Sequence, residues 1–285
     1  WLLEKEDPDR SKELYQQCVD RGDYRNAANN LANLLREEDP DRAKELYERA
    51  IAAGNEDSAT NNLGWLLREE DPERAKSLYE RAIAAGDEYY AARNLATLVK
   101  SDDPERAIDL YERAIVAGNV ADAACDLALL IEPDDPGRAK ALFGRAIAAG
   151  NERWATCYLG CLVYEEDPEH AKALFERAIA AGDERWAANN LGWLIREEDP
   201  ERAESLYRRA IAAGNEDSAT RNLANLVKAD DPERAEELFE RAIAAGNVAD
   251  AADDLGLLVE PDDPVRAKSL YERAIAAGDE RWATN

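Results

Sequence analysis

The sequence contains no methionine, and its only histidine is His170. Its four cysteines lack the spacing of a disulfide framework, and a chain of 285 residues with 45% apolar content can build a core without one. We therefore expect reduced thiols. The chain begins with WLLEKEDP, a near copy of WLLREEDP at Trp65, and ends with DERWATN, which also lies inside a repeat. We expect a fragment of a longer chain.

Positive charge is scarce. The chain has 36 basic and 62 acidic residues, which gives a net charge of −26. Such a charge repels nucleic acids and anionic membranes. No apolar run approaches the roughly 18 residues that span a membrane, and we expect no signal peptide. The composition therefore predicts a cytoplasmic protein that binds neither nucleic acid nor membrane.

What the sequence has in abundance is repetition, with a period of 32 residues. The prolines of successive Asp-Pro pairs are Pro8, Pro40, Pro72, Pro104, Pro136, Pro168, Pro200, Pro232 and Pro264. A glycine follows each proline by 14 residues, from Gly22 to Gly278. A longer period is also visible, because NVADAACDLALLIEPDDP at Asn119 returns as NVADAADDLGLLVEPDDP 128 residues later. Four repeats were therefore copied as a block.

Each repeat is predicted to contain two helices. The second helix starts at Asp39-Pro40, because Asp is a favourable N-cap and Pro suits the first turn, and it ends before Gly54. The first helix follows a cap at Asn55 and runs to about Arg68. Apolar residues recur at helical spacing in both, and no strand-like alternation is present. Since only stacked pairs can bury these faces, the sequence predicts an all-α solenoid of about nine repeats, a single continuous domain over residues 1–285.

The residues that carry the family resemblance are RAIAAGNEDSATNNLGWLL and AKSLYERAIAAGD. They resemble tetratricopeptide repeats and, more closely, Sel-like repeats, over essentially the whole chain. The resemblance implies a right-handed superhelix in which the first helices line a concave groove that binds proteins or peptides. It implies no catalytic chemistry.

Equivalent positions 32 residues apart form a slot, named here by its residue in the copy from Glu56 to Asp87. The Leu63 slot is leucine in all eight complete copies. By contrast, the Ser58, Asn61, Trp65 and Arg68 slots vary widely and hold all six tryptophans. At about 100° per residue these four slots form one stripe roughly 80° wide on the first helix. The stripe carries seven basic and six acidic residues, a net charge of +1 in a chain of −26, in alternating basic, acidic and aromatic zones.

Two explanations of the tryptophans remain open: a binding groove, which we favour, and packing of Trp between adjacent repeats. The asparagines of the Asn62 slot also have two open roles, because an amide can bind an extended peptide backbone or a neighbouring helix. We expect Trp154, Trp186 and Trp193 to lie together outside the core. The predicted partner-binding residues are Trp65, Tyr90, Arg93, Trp154, Trp186, Trp193, Arg196, Arg221, Asn62, Asn94, Asn190 and Asn222.

No catalytic site is predicted. The sequence lacks a nucleophile–base pair and a Gly-rich phosphate loop, and His170 occupies a surface slot that is usually arginine. Cys125, Cys157 and Cys161 fall on adjacent first helices, but Asp126 is the only nearby candidate for a fourth zinc ligand. We therefore expect no metal, no cofactor and no enzymatic activity.

Three classes of function compete. The favoured one is a non-enzymatic scaffold or sensor that binds a protein or peptide segment in its groove, as part of a larger protein. The second is a self-assembling solenoid that stacks end to end through exposed terminal repeats. The third is a designed or consensus repeat protein, which the rigid period favours and the scattered cysteines disfavour. An acidic mimic of nucleic acid ranks last, because the acidic residues do not concentrate on one stripe.

Overall fold

The computed structural model of the protein describes residues 7–278, which contain 17 α-helices and no β-strand. The predicted all-α repeat solenoid is confirmed. The second helices of the repeats are α1 (Pro8–Asp20), α3 (Pro40–Ala52), α5 (Pro72–Ala84), α7 (Pro104–Val116), α9 (Pro136–Ala148), α11 (Pro168–Ala180), α13 (Pro200–Ala212), α15 (Pro232–Ala244) and α17 (Pro264–Ala276). The first helices are α2 (Ala27–Leu35), α4 (Ser58–Leu67), α6 (Ala91–Val99), α8 (Val120–Ile131), α10 (Trp154–Val163), α12 (Ala187–Ile195), α14 (Ser218–Val227) and α16 (Val248–Val259).

The chain divides into two compact units, Trp1–Ala149 and Gly150–Asn285. Within each unit, helices pack mainly on the helices that precede and follow them. A continuous domain and a right-handed superhelix over the whole chain stay predictions. The stripe residues Trp1, Glu4 and Trp282 lie outside the described residues.

The ends of the second helices follow the sequence closely. Asp39 Oδ1 accepts a hydrogen bond from the Arg42 N–H at 3.1 Å, and Pro40 occupies the first turn. Gly54 has a φ of +93°, a left-handed conformation that glycine adopts without steric cost. The helix therefore stops at Ala52 and the chain turns back within a few residues.

Most first helices begin later than predicted. Asn55 is buried, its Oδ1 accepts from the Ala59 N–H at 3.2 Å, and its Nδ2 donates to the Arg25 carbonyl of the preceding repeat at 2.9 Å. Its side chain therefore caps the helix and ties two repeats together. Residues 56 and 57 form a turn, so α4 starts at Ser58. In α8 and α16 this turn is absent, and the helix starts directly after the asparagine.

The core consists of the apolar faces that the period predicts. Ala43, Leu46, Tyr47 and Ala50 of α3 are buried, as are the leucines of the Leu63 slot apart from Leu159, which is half-buried. Burying each large apolar side chain contributes about 1.5–3 kcal/mol. Cys18, which occupies the Ala82 slot, is half-buried and packs against this core.

Candidate functional site

The tryptophans of the Trp65 slot are enclosed by residues of the Arg68 slot. Trp65 lies between the guanidinium groups of Arg36 and Arg68, which are 4.5 and 4.0 Å from its ring centroid. Trp193 has Arg196 at 4.5 Å and the Tyr164 ring at 5.5 Å in an edge-to-face arrangement. Cation–π and edge-to-face contacts of this kind contribute about 0.5–1.5 kcal/mol each. They hold each indole in one orientation on the surface of the first helices.

Trp193 also lines two adjoining cavities, of about 330 and 510 Å³. The cavities share Trp193, Arg221 and Asn222. The smaller cavity is further lined by Cys161, Tyr164, Phe175, Asn189, Asn190, Leu194, Ser218, Asn247 and Asp250. The larger one is further lined by Arg196, Glu197, Tyr207, Asn225, Leu226, Lys228 and Asp254. Trp193 remains 40% exposed, so its ring is available to a ligand in either cavity.

The other two tryptophans of the predicted cluster line neither cavity. Trp154 is 40% exposed and has Arg153 over its ring at 4.7 Å. Trp186 is half-buried and packs against the hydrophobic core, with Arg185 at 4.9 Å on its ring. Trp186 therefore lies at the edge of the core, at the N-cap position of α12 and next to the buried Ala187.

The two stripe arginines of the Asn61 slot are paired within the protein. Arg93 donates from Nε to Asp126 Oδ2 at 2.6 Å and lies 3.5 Å from Asp122. Arg221 makes the same two contacts, with Asp254 at 2.5 Å and Asp250 at 3.4 Å. Their positive charge is largely neutralised before any ligand arrives.

Four half-buried asparagines of the Asn62 slot donate to the preceding repeat: Asn62, Asn94, Asn190 and Asn222. Asn62 Nδ2 donates to Asn29 Oδ1 at 3.0 Å and to Asn33 Oδ1 at 3.1 Å. Asn94 donates to Asn61 at 2.9 Å, and Asn222 donates to Asn189 at 2.9 Å. Of the two roles left open, the bond to a neighbouring helix is the one present.

A matching rule follows from these contacts, which join residues 33 positions apart. Asparagine in the Asn61 slot meets asparagine in the Asn62 slot of the next repeat, and arginine meets aspartate. The Asn61 slot is therefore a seam between repeats, and six of its members are buried: Asn29, Asn61, Cys125, Cys157, Asn189 and Asp253. Comparing residues 33 positions apart in the sequence could have found this seam.

Two of the predicted aromatic partner-binding residues, Trp65 and Tyr90, lie in the unit Trp1–Ala149. Tyr90 is 56% exposed and stacks edge-to-face on Tyr89 at 4.5 Å. It lies in the Ser58 slot at the N-terminus of α6. Neither Trp65 nor Tyr90 lines the two cavities beside Trp193, so the surroundings of Trp193 are the stronger candidate.

Three cysteines lie on first helices: Cys125 and Cys157 belong to the seam, and Cys161 lines the smaller cavity. Burial raises the pKa of the Cys125 thiol to about 12. A hydrogen bond with Cys161, followed by burial, raises the pKa of the Cys157 thiol. Asn190 Nδ2 lies 3.1 Å from Cys161 Sγ and 3.8 Å from Cys157 Sγ. Over residues 7–278 no group of three or more His, Cys, Asp or Glu side chains is arranged to hold a metal ion.

Two further observations concern His170 and the length of the helices. The backbone N–H of His170 donates to Asp167, which caps α11, and the residue is exposed. None of the described helices has the length and apolar character needed to cross a membrane.

The Sel1 repeat family matches eight segments: 26–55, 58–87, 91–119, 121–151, 158–183, 187–215, 223–247 and 252–279. The chain belongs to the Sel1 repeat family. Sel1 and related tetratricopeptide-like repeats are protein-interaction scaffolds. A comparison with curated proteins gives no match.

Solved structures give the same fold for this Sel1 repeat chain. A Sel1 repeat protein from Oxalobacter formigenes is 20% identical over 81% of this chain and 96% of its own, with a TM-score of 0.57. A chain of the APC/C hetero-tetramer Cut9-Hcn1 is 13% identical, with a TM-score of 0.62, over 93% of this chain and 52% of its own. Yeast Tom70 is 17% identical, with a TM-score of 0.54, over 90% of this chain and 55% of its own. At these identities the likeness concerns the fold alone.

Proposed function

We propose that the unit Gly150–Asn285 binds an extended segment of a partner protein along its first helices, in a groove centred on Trp193. The observation that carries the proposal is that this half-exposed indole forms a wall of both adjoining cavities. Aromatic anchors in pockets, flanked by charged groups, are the usual hot spots of protein interfaces. The Sel1 repeat fold supports the same role at the level of the family.

The two cavities favour different parts of a ligand. Tyr164, Phe175 and Leu194 surround the smaller one beside Trp193, which suits an apolar side chain. The larger one contains Arg196 and Lys228. Lys228 has no carboxylate within ion-pair distance among the described residues, and its Nζ donates to Asn225 at 2.8 Å. A partner segment with an aromatic or aliphatic residue next to an acidic residue fits both.

Some walls of the groove are side chains that already have hydrogen-bond or ion-pair partners within the protein. Arg221 is held by Asp254 and Asp250, and the Asn222 amide nitrogen is held by Asn189. Both residues line the cavities as fixed walls, so Trp193 and Lys228 supply the remaining contacts, together with Arg196, which forms a solvent-exposed ion pair with Glu197 at 3.3 Å. Rigid walls of this kind reduce the side-chain entropy that the protein loses on binding a ligand.

The experiment is a selection followed by an affinity measurement. A peptide is selected from a random library on the unmodified protein, and its affinity is measured by fluorescence anisotropy for Trp193→Ala, Lys228→Gln and the surface control Lys44→Gln. We expect Trp193→Ala to weaken binding by about 30-fold or more, Lys228→Gln by less, and Lys44→Gln not at all. A peptide whose affinity is independent of Trp193 would contradict the proposal. A sensor role inside a larger protein and end-to-end self-association are separate proposals. A pull-down from the source cell tests the first, and sedimentation tests the second.

A further inference from the structure

Each unit has a second type of cavity, formed mainly by second helices and separate from Trp193. The cavity in the unit Trp1–Ala149 is about 390 Å³, and the one in the unit Gly150–Asn285 is about 380 Å³. The first is lined by Glu112, Ile115, Leu127, Arg138, Leu142 and Arg145, among others. Each lining residue of the other cavity lies 128 positions after its counterpart. The same site therefore occurs twice, at the spacing of the copied block.

One slot distinguishes the repeats that form these cavities. In five repeats within residues 7–278 the Glu56 slot holds glutamate, which pairs with the arginine 25 positions later, as in Glu56–Arg81 at 2.9 Å and Glu184–Arg209 at 2.6 Å. The other three pairs are Glu88–Arg113, Glu152–Arg177 and Glu216–Arg241. At the two cavities this slot holds Val120 and Val248. Within residues 7–278, Arg145 and Arg273 consequently have no carboxylate within ion-pair distance.

The local backbone changes together with this slot. The turn that carries glutamate in other repeats is replaced by the first turn of α8 and of α16, which begin at Val120 and Val248. Val248 packs against the hydrophobic core. The apolar side chain thus turns inward where glutamate would have reached out to the arginine, and the arginine is left facing the cavity.

The chemistry of the cavity combines an apolar floor with one uncompensated positive charge. Ile115, Leu127 and Leu142 are buried beneath it, and Val116, at its rim, is 87% exposed. Arg138 is held by Glu112 and does not add to the charge. An arginine next to apolar surface pairs strongly with a carboxylate, because the bidentate bond forms away from bulk water. The volume is within the range of ligand pockets.

We propose that these cavities are two equivalent docking sites for acidic-aliphatic segments of a partner protein, one site per unit. In each, a Glu or Asp carboxylate of the partner pairs with Arg145 or Arg273 while an adjacent leucine-like side chain covers the apolar floor. The exposed Val116 favours a protein partner over a small carboxylic acid, since a protein covers the rim as well as the cavity.

The repeats supply the test variants. Around Arg81 the slots corresponding to Ile115, Leu127 and Leu142 hold Ile51, Leu63 and Leu78, so the cavity-lining residues are equivalent. The differences lie in the turn before the first helix, where Glu56 and Asp57 stand in place of Val120 and Ala121. Val120→Glu and Val248→Glu should each close one cavity, and Glu56→Val should open a third. Each substitution introduces a residue that other repeats already carry in this slot, so the fold is expected to be retained, with an unchanged thermal transition.

The measurement is a methyl NMR titration of Ile115, Ile243 and Ile51 with the capped peptide acetyl-Leu-Leu-Glu-Leu-Leu-amide, which detects weak as well as tight binding. In the unmodified protein Ile115 and Ile243 should shift and Ile51 should not. Val120→Glu should abolish the Ile115 shift alone, Val248→Glu the Ile243 shift alone, and Glu56→Val should produce a shift at Ile51. The same peptide with Gln in place of Glu should produce at most a tenth of the effect. Absence of shifts in the unmodified protein, equal shifts with the Gln peptide, or shifts that survive Val120→Glu would overturn the proposal.

Discussion

Arg221 donates from Nε to Oδ2 of Asp254, 2.5 Å away and one repeat further along the chain. Arg93 and Asp126 form the same pair in the other unit, at 2.6 Å. In other repeats the equivalent positions hold two asparagines that also bond to each other. The variation of this slot therefore has a cause inside the protein, because each residue is matched to a residue of the next repeat.

The matching predicts a rescue. Arg221→Asn alone should lower the free energy of unfolding by about 1–3 kcal/mol, because it leaves the mostly buried Asp254 carboxylate without its charged donor. Adding Asp254→Asn should recover most of the loss by recreating the asparagine pair. Denaturant unfolding of the three proteins measures both effects. A double variant no more stable than Arg221→Asn would show that the two positions are not coupled.

A second prediction concerns alkaline pH. Burial raises the pKa of Tyr47, Tyr79 and Tyr111 to about 12, and it also raises the pKa of Tyr207 well above the ordinary value near 10. Between pH 10 and 12 the unfolded chain loses these protons while the folded chain keeps them, so stability is fully present below pH 10 and falls as the pH rises. We expect cooperative unfolding in this window by circular dichroism.

The matched control relies on the Tyr79 slot, which holds phenylalanine in three other repeats, as Phe143, Phe175 and Phe239. Replacing Tyr79 and Tyr207 by Phe should weaken the dependence of stability on pH above 10, because two of the raised phenol groups are gone. A steepness unaffected by these replacements would mean that other groups control the alkaline transition.

Two helical glycines should respond to alanine in opposite directions. A Cβ at Gly144 would meet no heavy atom within 4 Å, so Gly144→Ala should raise the free energy of unfolding by about 0.5–1 kcal/mol through helix propensity. A Cβ at Gly192 would lie 2.9 Å from Cε1 of the buried Tyr207. The displaced ring costs about 1–3 kcal/mol, so Gly192→Ala should be destabilising. Thermal unfolding of both variants checks the prediction, and two changes of the same sign would refute it.

The sequence alone predicts the helices well, because their ends depend on local chemistry. Asp39, Pro40 and Gly54 act through the backbone within a few residues of their own positions, and the 3.6-residue period identifies the buried face without knowledge of the neighbours.

The candidate site is less accessible to sequence reasoning, because it depends on where the next helix packs. The stripe follows from the angles between residues around one isolated helix. These angles cannot show that Asn61 lies in the seam or that Trp186 packs against the core. Trp193, Trp154 and Tyr90 keep the predicted exposure. Their role in binding stays a prediction.

The most direct test of the groove compares Trp193 with Leu191, two residues away on α12 and buried in the core. The affinity of the selected peptide and the free energy of unfolding are measured for Trp193→Ala and Leu191→Ala. Trp193→Ala should weaken binding by about 30-fold or more and cost about 1–2 kcal/mol of stability, from its contacts with Arg196 and Tyr164. Leu191→Ala should cost about 2–5 kcal/mol and leave the affinity of the folded protein nearly unchanged. If Trp193→Ala instead unfolds the protein, or leaves the affinity intact, Trp193 serves packing and the groove is not the binding site.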